Sequence, residues 1–256
     1  MDVSLRSTPR DRAGSERIKR AGELFAIHEW GSTSEFIEKS WQTHSAPEPA
    51  FISIAASHWQ MVFIAHGGLT SLSVRGPETI ATVTRVPEDA EFFGIVFSLG
   101  TFMPSMPLAG LVDRAVTLPA ATRTSIWLDG TPWEVPGPDN VDVFVDRLAR
   151  QGLIVRDPVV ADSFRGGLDG VSVRTAQRRV ARATGLTRCT ITQIARAENA
   201  VEALGRGLTP TVAAFLGGYA DQAHLGRSLR RFIGQTPAQV INQNSHWSVA
   251  SPLEPC

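Results

Sequence analysis

Eleven arginines and no lysine follow position 160 of this 256-residue chain, several at spacings that place them on one face of a helix. In RTAQRRVARATGLT, which begins at Arg174, the residues Ala176, Val180 and Ala183 make an apolar stripe and leave Arg174, Gln177, Arg178 and Arg182 on the outer face. These are residue types that read and hold DNA. A guanidinium fork matches the O6 and N7 edge of guanine, a glutamine amide pairs both edge groups of adenine, and neighbouring arginines neutralise phosphates. Arginines on an exposed helix face are more often simply solvated, so one such stretch decides nothing.

The chain writes the stretch twice. AHLGRSLRRFIGQT, from Ala223, aligns with the first at Arg178 and Arg227, Arg182 and Arg231, Gly185 and Gly234, and Thr187 and Thr236, each pair 49 residues apart. Its inner stripe is Leu225, Leu229 and Phe232. Each stretch follows a shorter helical segment across a glycine turn, GGLDG in the first and Gly217-Gly218 in the second, which makes two helix-turn-helix units. Between them Ile191, Ile194, Ala195, Val201 and Leu204 predict one long helix, stopped by Gly205 and Gly207. Such a helix would hold both recognition helices about 34 Å apart, one turn of B-DNA, within a single chain.

The elements that must position these residues carry their own start signals. Asp157-Pro158 and Thr209-Pro210 are cap and first-turn pairs, and Ser172 and Asp221 are side-chain caps for the two recognition helices. Net charge is zero, yet the eleven arginines after position 160 face six carboxylates, so this block carries +5 and the first 160 residues −5. A basic end on an acidic partner domain suits a protein that meets a polyanion with one end only.

At GGYADQAHLGRSLRRFIGQTPAQV, residues 217 to 240, the chain resembles the AraC/XylS transcriptional regulators, whose signature has Gly, an aromatic, Asp-Gln-x-His, Arg, a basic pair, Gly and Thr-Pro in this order. The resemblance extends over about 155 to 243 and implies a seven-helix, double helix-turn-helix domain. It puts base reading on Arg174, Gln177 and Arg178 in the first unit and on Gln222, Ala223 and Arg227 in the second, with Arg230 and Arg231 near phosphates. Ala223 and Gly226 stand where longer polar side chains are frequent in the family, and Gly within a helix costs about 1 kcal/mol relative to Ala. The second unit is therefore expected to read bases weakly and to hold the backbone. The first unit departs in its longer turn and in Val180, where an aromatic is expected.

Upstream, FISIAA, WQMVFIA, LTSLSVR, TIATVTRV and EFFGIVFSL alternate with Gly and Pro turn signals, which predicts a meander of strands from Phe51. DNVDVFVDRLARQG then predicts a closing helix with Asp139 as cap, Val141, Phe144, Val145 and Leu148 as its stripe, and Gly152 as its stop. The fold class is α+β: a disordered leader over 1–22, a β-rich sensor or dimerisation domain over 23–153, the double helix-turn-helix domain over 154–244 and a tail over 245–256. The resemblance implies that the β-rich domain is of cupin type, senses a small-molecule effector, forms a homodimer, or both. It also implies double-stranded DNA as partner, and RNA polymerase where the protein activates.

Five of the six tryptophans (Trp30, Trp41, Trp59, Trp127, Trp133) lie in the β-rich part, as core or as a pocket lining. His58 and His66 lack the His-x-His and carboxylate grouping of a metal cupin, and Cys189 and Cys256 give neither ligand spacing nor a disulfide framework, so no metal or cofactor is expected. No apolar run of membrane length and no secretory pattern appears, which predicts a cytoplasmic protein. A barrel-type hydrolase or oxygenase with a helical tail is one rival, although Gly-x-Ser-x-Gly, phosphate-loop and zinc-protease motifs are all missing, so no enzyme is expected. A helical protein-binding adaptor is the other.

Overall fold

The recurring Val, Ile and Phe of the β-rich segments form strands because these side chains pack well on a pleated, half-buried surface. The computed structural model describes residues 27–45, 50–118, 122–166 and 170–242. The predicted leader and tail lie outside them.

The main sheet is antiparallel, in the order β1 (His28–Trp30), β2 (Ile37–His44), β7 (Glu91–Phe97), β4 (Gln60–His66), β5 (Leu69–Arg75) and β9 (Ala115–Leu118). Three two-stranded ribbons flank it: β3 (Ala50–Ser53) with β6 (Thr82–Arg85), β10 (Ser125–Leu128) with β11 (Thr131–Glu134), and β8 (Thr101–Phe102) with β12 (Val155–Arg156). All five predicted strands are present, but they do not run as a meander. Of the five, only β4 and β5 form a hairpin, while β7 inserts between β4 and β2, and β3 and β6 leave the sheet to pair with each other. The strand β2 was silent in the sequence because its buried positions after Ile37 are the polar Ser40 and Thr43, one on each face, so no apolar alternation marks it.

Helix α1 (Val141–Arg150) lies on this sheet with the predicted stripe Val141, Phe144, Val145 and Leu148 buried. Phe144 meets Phe63 edge-on at 5.8 Å and Trp133 at 5.7 Å. Its N-cap residue is Asn140 rather than Asp139. Asn140 makes no side-chain cap and instead accepts the Gly137 N–H, because the chain turns at Gly137 before the helix begins.

Six helices follow, α2 (Pro158–Phe164), α3 (Val173–Thr184), α4 (Arg188–Gly205), α5 (Pro210–Leu216), α6 (Gln222–Phe232) and α7 (Pro237–Asn242). The span from 155 onward thus holds six helices among the described residues rather than seven. The helix before them, α1, belongs to the core of the β domain. Side chains of Asp157, Ser172, Thr209 and Asp221 cap α2, α3, α5 and α6 as predicted. Such caps contribute about 1 kcal/mol each. Val180 and Ala183 of α3, six side chains of α4 from Ile191 to Leu204, Ala213 and Ala214 of α5, Leu225, Leu229 and Phe232 of α6, and Val240 of α7 share one core. Both helix-turn-helix units are therefore halves of one body built around α4. No helix among the described residues is long and apolar enough to cross a membrane.

Candidate nucleic-acid interface

The repeat matches have structural reasons. Gly185 and Gly234 end the two recognition helices in left-handed backbone (φ 72° and 76°), where a Cβ is disfavoured. Thr187 and Thr236 then cap the next helices, accepting from the N–H groups of Thr190 and Gln239 at 3.1 and 3.2 Å. The matches thus mark the same helix end followed by the same cap in both units.

With Ala176, Val180 and Ala183 buried, α3 exposes Arg174, Gln177, Arg178 and Arg182 together. On α6, burial of Leu225, Leu229 and Phe232 leaves Gln222, Ala223, Arg227, Arg230 and Arg231 exposed. Three of these nine side chains are partly engaged within the protein, Arg231 by lying 4.9 Å from the Phe232 ring. The Gln222 amide donates to the Thr211 hydroxyl of α5, and the Arg182 guanidinium lies 5.6 Å from the Phe102 ring of the β domain. Among the described residues none of the nine makes an ion pair. The neighbouring Arg179 does, reaching Asp157 at 3.5 Å.

Arg196 of α4 had no signal in the repeat, since it lies between the two repeated stretches. Its Nε donates to the Gly217 carbonyl at 2.7 Å and its Nη2 to the Gly218 carbonyl, while its guanidinium lies 4.5 Å from the Tyr219 ring centroid. This side chain pins the turn of the second unit to the connecting helix.

The β domain grips the same body at the ends of both recognition helices. At α6 the Ala55 N–H donates to the Phe232 carbonyl at 2.7 Å and the Ala81 N–H to the Arg231 carbonyl at 2.8 Å, which satisfies two carbonyls that a helix end leaves open. At α3, Gly185 abuts the 3-10 turn Leu108–Gly110 so closely that an added Cβ would stand 2.8 Å from the Leu108 carbonyl oxygen. Glu198 on α4 faces the β domain: burial pushes its carboxyl above the usual range and the Lys39 ammonium of β2 partly offsets this. Burial likewise pushes the His58 imidazole down, with Lys39 acting in the same sense and Glu38 opposing.

Residues 170–243 match the family model of a helix-turn-helix domain. The C-terminal region thus contains a helix-turn-helix domain. No functionally characterised relative matches the chain by sequence. Solved structures similar to it include ToxT from Vibrio cholerae, at 8% identity and a TM-score of 0.39 over 85% of this chain and 97% of that one. ToxT from Vibrio cholerae O395 bound to (E)-4-(8-methylnaphthalen-1-yl)but-3-enoic acid is similar at 9% identity and a TM-score of 0.40, over 86% and 98%.

Trp59 and Trp133 are core, Trp59 stacked on Phe97 at 4.0 Å with its indole N–H on the Thr101 carbonyl, while Trp30 and Trp127 are exposed. Trp41 is half-buried and donates to Gln60. His66 is exposed, and His58 lies 3.4 Å from the Ser57 hydroxyl. No metal-ligating group of side chains occurs among the described residues.

Proposed function

We propose that the chain is a one-component, sequence-specific DNA-binding transcription regulator, with the DNA-binding domain over 154–244. The observation that carries this reading is the pair of capped amphipathic helices α3 and α6, each with an unpaired basic outer face, fixed on one core through α4. In this reading Arg174, Gln177 and Arg178 reach base edges in one major-groove segment, with Arg182 at their flank. In the next segment Arg227 reads a base, Gln222 and Ala223 contribute little, and Arg230 and Arg231 hold phosphates. The Gln222 bond to Thr211 and the short side chain of Ala223 both favour this unequal division.

The β domain would then be the control element, because it touches the end of each recognition helix. A small molecule that altered its packing would act on both helices at once. A homodimer contact, where one forms, and contact with RNA polymerase in activation are assigned to surfaces outside the two basic faces.

Selection of bound sequences from random duplex DNA tests the reading, followed by a salt titration of the selected duplex. The expected result is a defined site and a steep fall of log Kobs with log salt, about 0.9 per phosphate contact. A protein-binding adaptor would select no sequence and give no slope.

A further inference from the structure

Between α4 and α6 lies a pocket of about 240 Å³ whose charged wall is all of one sign. Gln193 and Arg196 come from α4, and His224, Arg227 and Arg231 from α6; no carboxylate lines it. Its floor is formed by Tyr219 and Ser228, whose hydroxyls lie 3.1 Å apart and bond each other. The charges in this wall are uncompensated. Arg196 donates to two carbonyls and stacks on Tyr219, neither of which removes its positive charge. Arg227 and Arg231 make no ion pair among the described residues, and Arg231 only overlies the Phe232 ring at 4.9 Å.

Three arginines lining a concave space without an acid make a site for a small, multiply charged oxyanion, since the arginine fork matches phosphate oxygens in pairs. The volume is below the usual range of about 300–1,000 Å³ for sites that enclose drug-sized ligands, which fits a single phosphate group better than a large molecule.

We propose that this pocket seats one phosphate group at the flank of α6. The source most consistent with its position is a backbone phosphate of the DNA, because Arg227 belongs both to the pocket and to the exposed face of α6. This rests on the DNA-binding reading above and deepens it. Ala223 leaves a short side chain on the exposed face of α6 beside Arg227. A phosphate held between α4 and α6 ties the second unit to the duplex, and Arg196 links that contact to the Gly217-Gly218 turn. Gln193 is the one polar, uncharged member of the α4 wall, is exposed, and sits in a helix where glutamate is equally well accepted.

The test compares Gln193→Glu with Asn199→Glu, an exposed position of the same helix that does not line the pocket and carries the same change in net charge. Full-length protein is titrated with a synthetic duplex, and separately with inorganic pyrophosphate in the absence of DNA while the His224 ring is followed by NMR. Gln193→Glu is expected to weaken duplex binding by at least about tenfold, since it places like charges together. It should also flatten the salt dependence by about one phosphate, while Asn199→Glu does neither. If the two variants bind duplex equally, yet pyrophosphate saturates the wild-type His224 shift and fails to do so in Gln193→Glu, the site stands and its phosphate belongs to a small molecule. Equal duplex binding together with no saturable pyrophosphate shift overturns the proposal. Failure of wild-type protein to bind any duplex would instead count against the regulator reading, and the pyrophosphate arm would still judge the pocket.

Discussion

Replacing Gly185 with alanine probes the seat of the first recognition helix on the β domain, and Gly207 supplies an internal control. Both glycines have left-handed backbone, φ 72° and 88°. An alanine at either therefore costs about 1–2 kcal/mol from backbone conformation alone. At Gly207 nothing lies within 4 Å of the added Cβ, so that cost is the whole effect. At Gly185 the Cβ would stand 2.8 Å from the carbonyl carbon and oxygen of Leu108 and 2.9 Å from the Ala109 nitrogen. These are backbone atoms that cannot rotate away, and overpacking of this kind typically adds about 1–3 kcal/mol. Gly185→Ala should thus cost roughly 2–5 kcal/mol against about 1–2 for Gly207→Ala. For a chain of this size each kcal/mol shifts Tm by about 2–4 °C. Urea and thermal melts of the two full-length variants, followed by far-ultraviolet circular dichroism and tryptophan fluorescence, give the comparison. Equal losses at the two positions would refute the seating of α3 against the 3-10 turn.

Arg178→Ala should cost roughly 1–3 kcal/mol in DNA binding and relax preference at one base position, whereas Arg231→Ala should weaken all sequences alike and reduce the salt slope by about one; uniform loss in both, measured by selection and salt titration, would remove the division between base reading and phosphate holding. Two or three glycines inserted at Gly205 should lower affinity by uncoupling the units while helical circular dichroism is kept, and unchanged affinity would show that the second unit adds little. For Glu198 the sign is set by a folded-state pKa raised through burial: its contribution to stability is full below the ordinary value of 4.5 and is lost as pH rises through the raised value. Glu198→Gln should therefore stabilise the chain at neutral pH and flatten the pH dependence above 4.5, and a variant less stable than wild type at neutral pH would contradict the assigned cause.

The helical half was legible because each signal is local. A cap such as Ser172 or Asp221 acts within three residues, and a stripe such as Leu225, Leu229 and Phe232 declares its face by spacing alone. The strands were legible one at a time, but their pairing was not. The partner of β7 is chosen by long-range burial, and β2 carries Ser40 and Thr43 where the pattern calls for apolar residues. Of the candidate site, the exposed faces of α3 and α6 could be read, but the turning of Gln222 onto Thr211 could not. Arg196 escaped for a related reason: its partners are the carbonyls of Gly217 and Gly218, and a backbone acceptor leaves no mark in a sequence.

The seam between the domains is the clearest case of that blindness, and it gives the 49-residue repeat a second meaning. Gly185 and Gly234 are paired by the repeat, and both touch the β domain. Gly185 meets the Leu108–Ala109 backbone, and a Cβ on Gly234 would stand 3.0 Å from Ile52 Cγ2 and 3.1 Å from Ala81 Cβ. Beside Gly234, main-chain N–H groups of Ala55 and Ala81 close the end of α6. Each glycine is needed locally to end its helix, and that need also strips the helix end of a side chain, which lets the β domain approach, by its backbone at Gly185 and by side chains at Gly234. The β domain occupies that opening twice, once per unit. With α4 holding the two units from within and the β domain holding their ends from without, the separation of α3 and α6 depends on both contacts. A change in the β domain that withdrew the Leu108–Gly110 turn from Gly185 but left Ala55 and Ala81 on α6 would free one recognition helix relative to the other, without breaking the shared core.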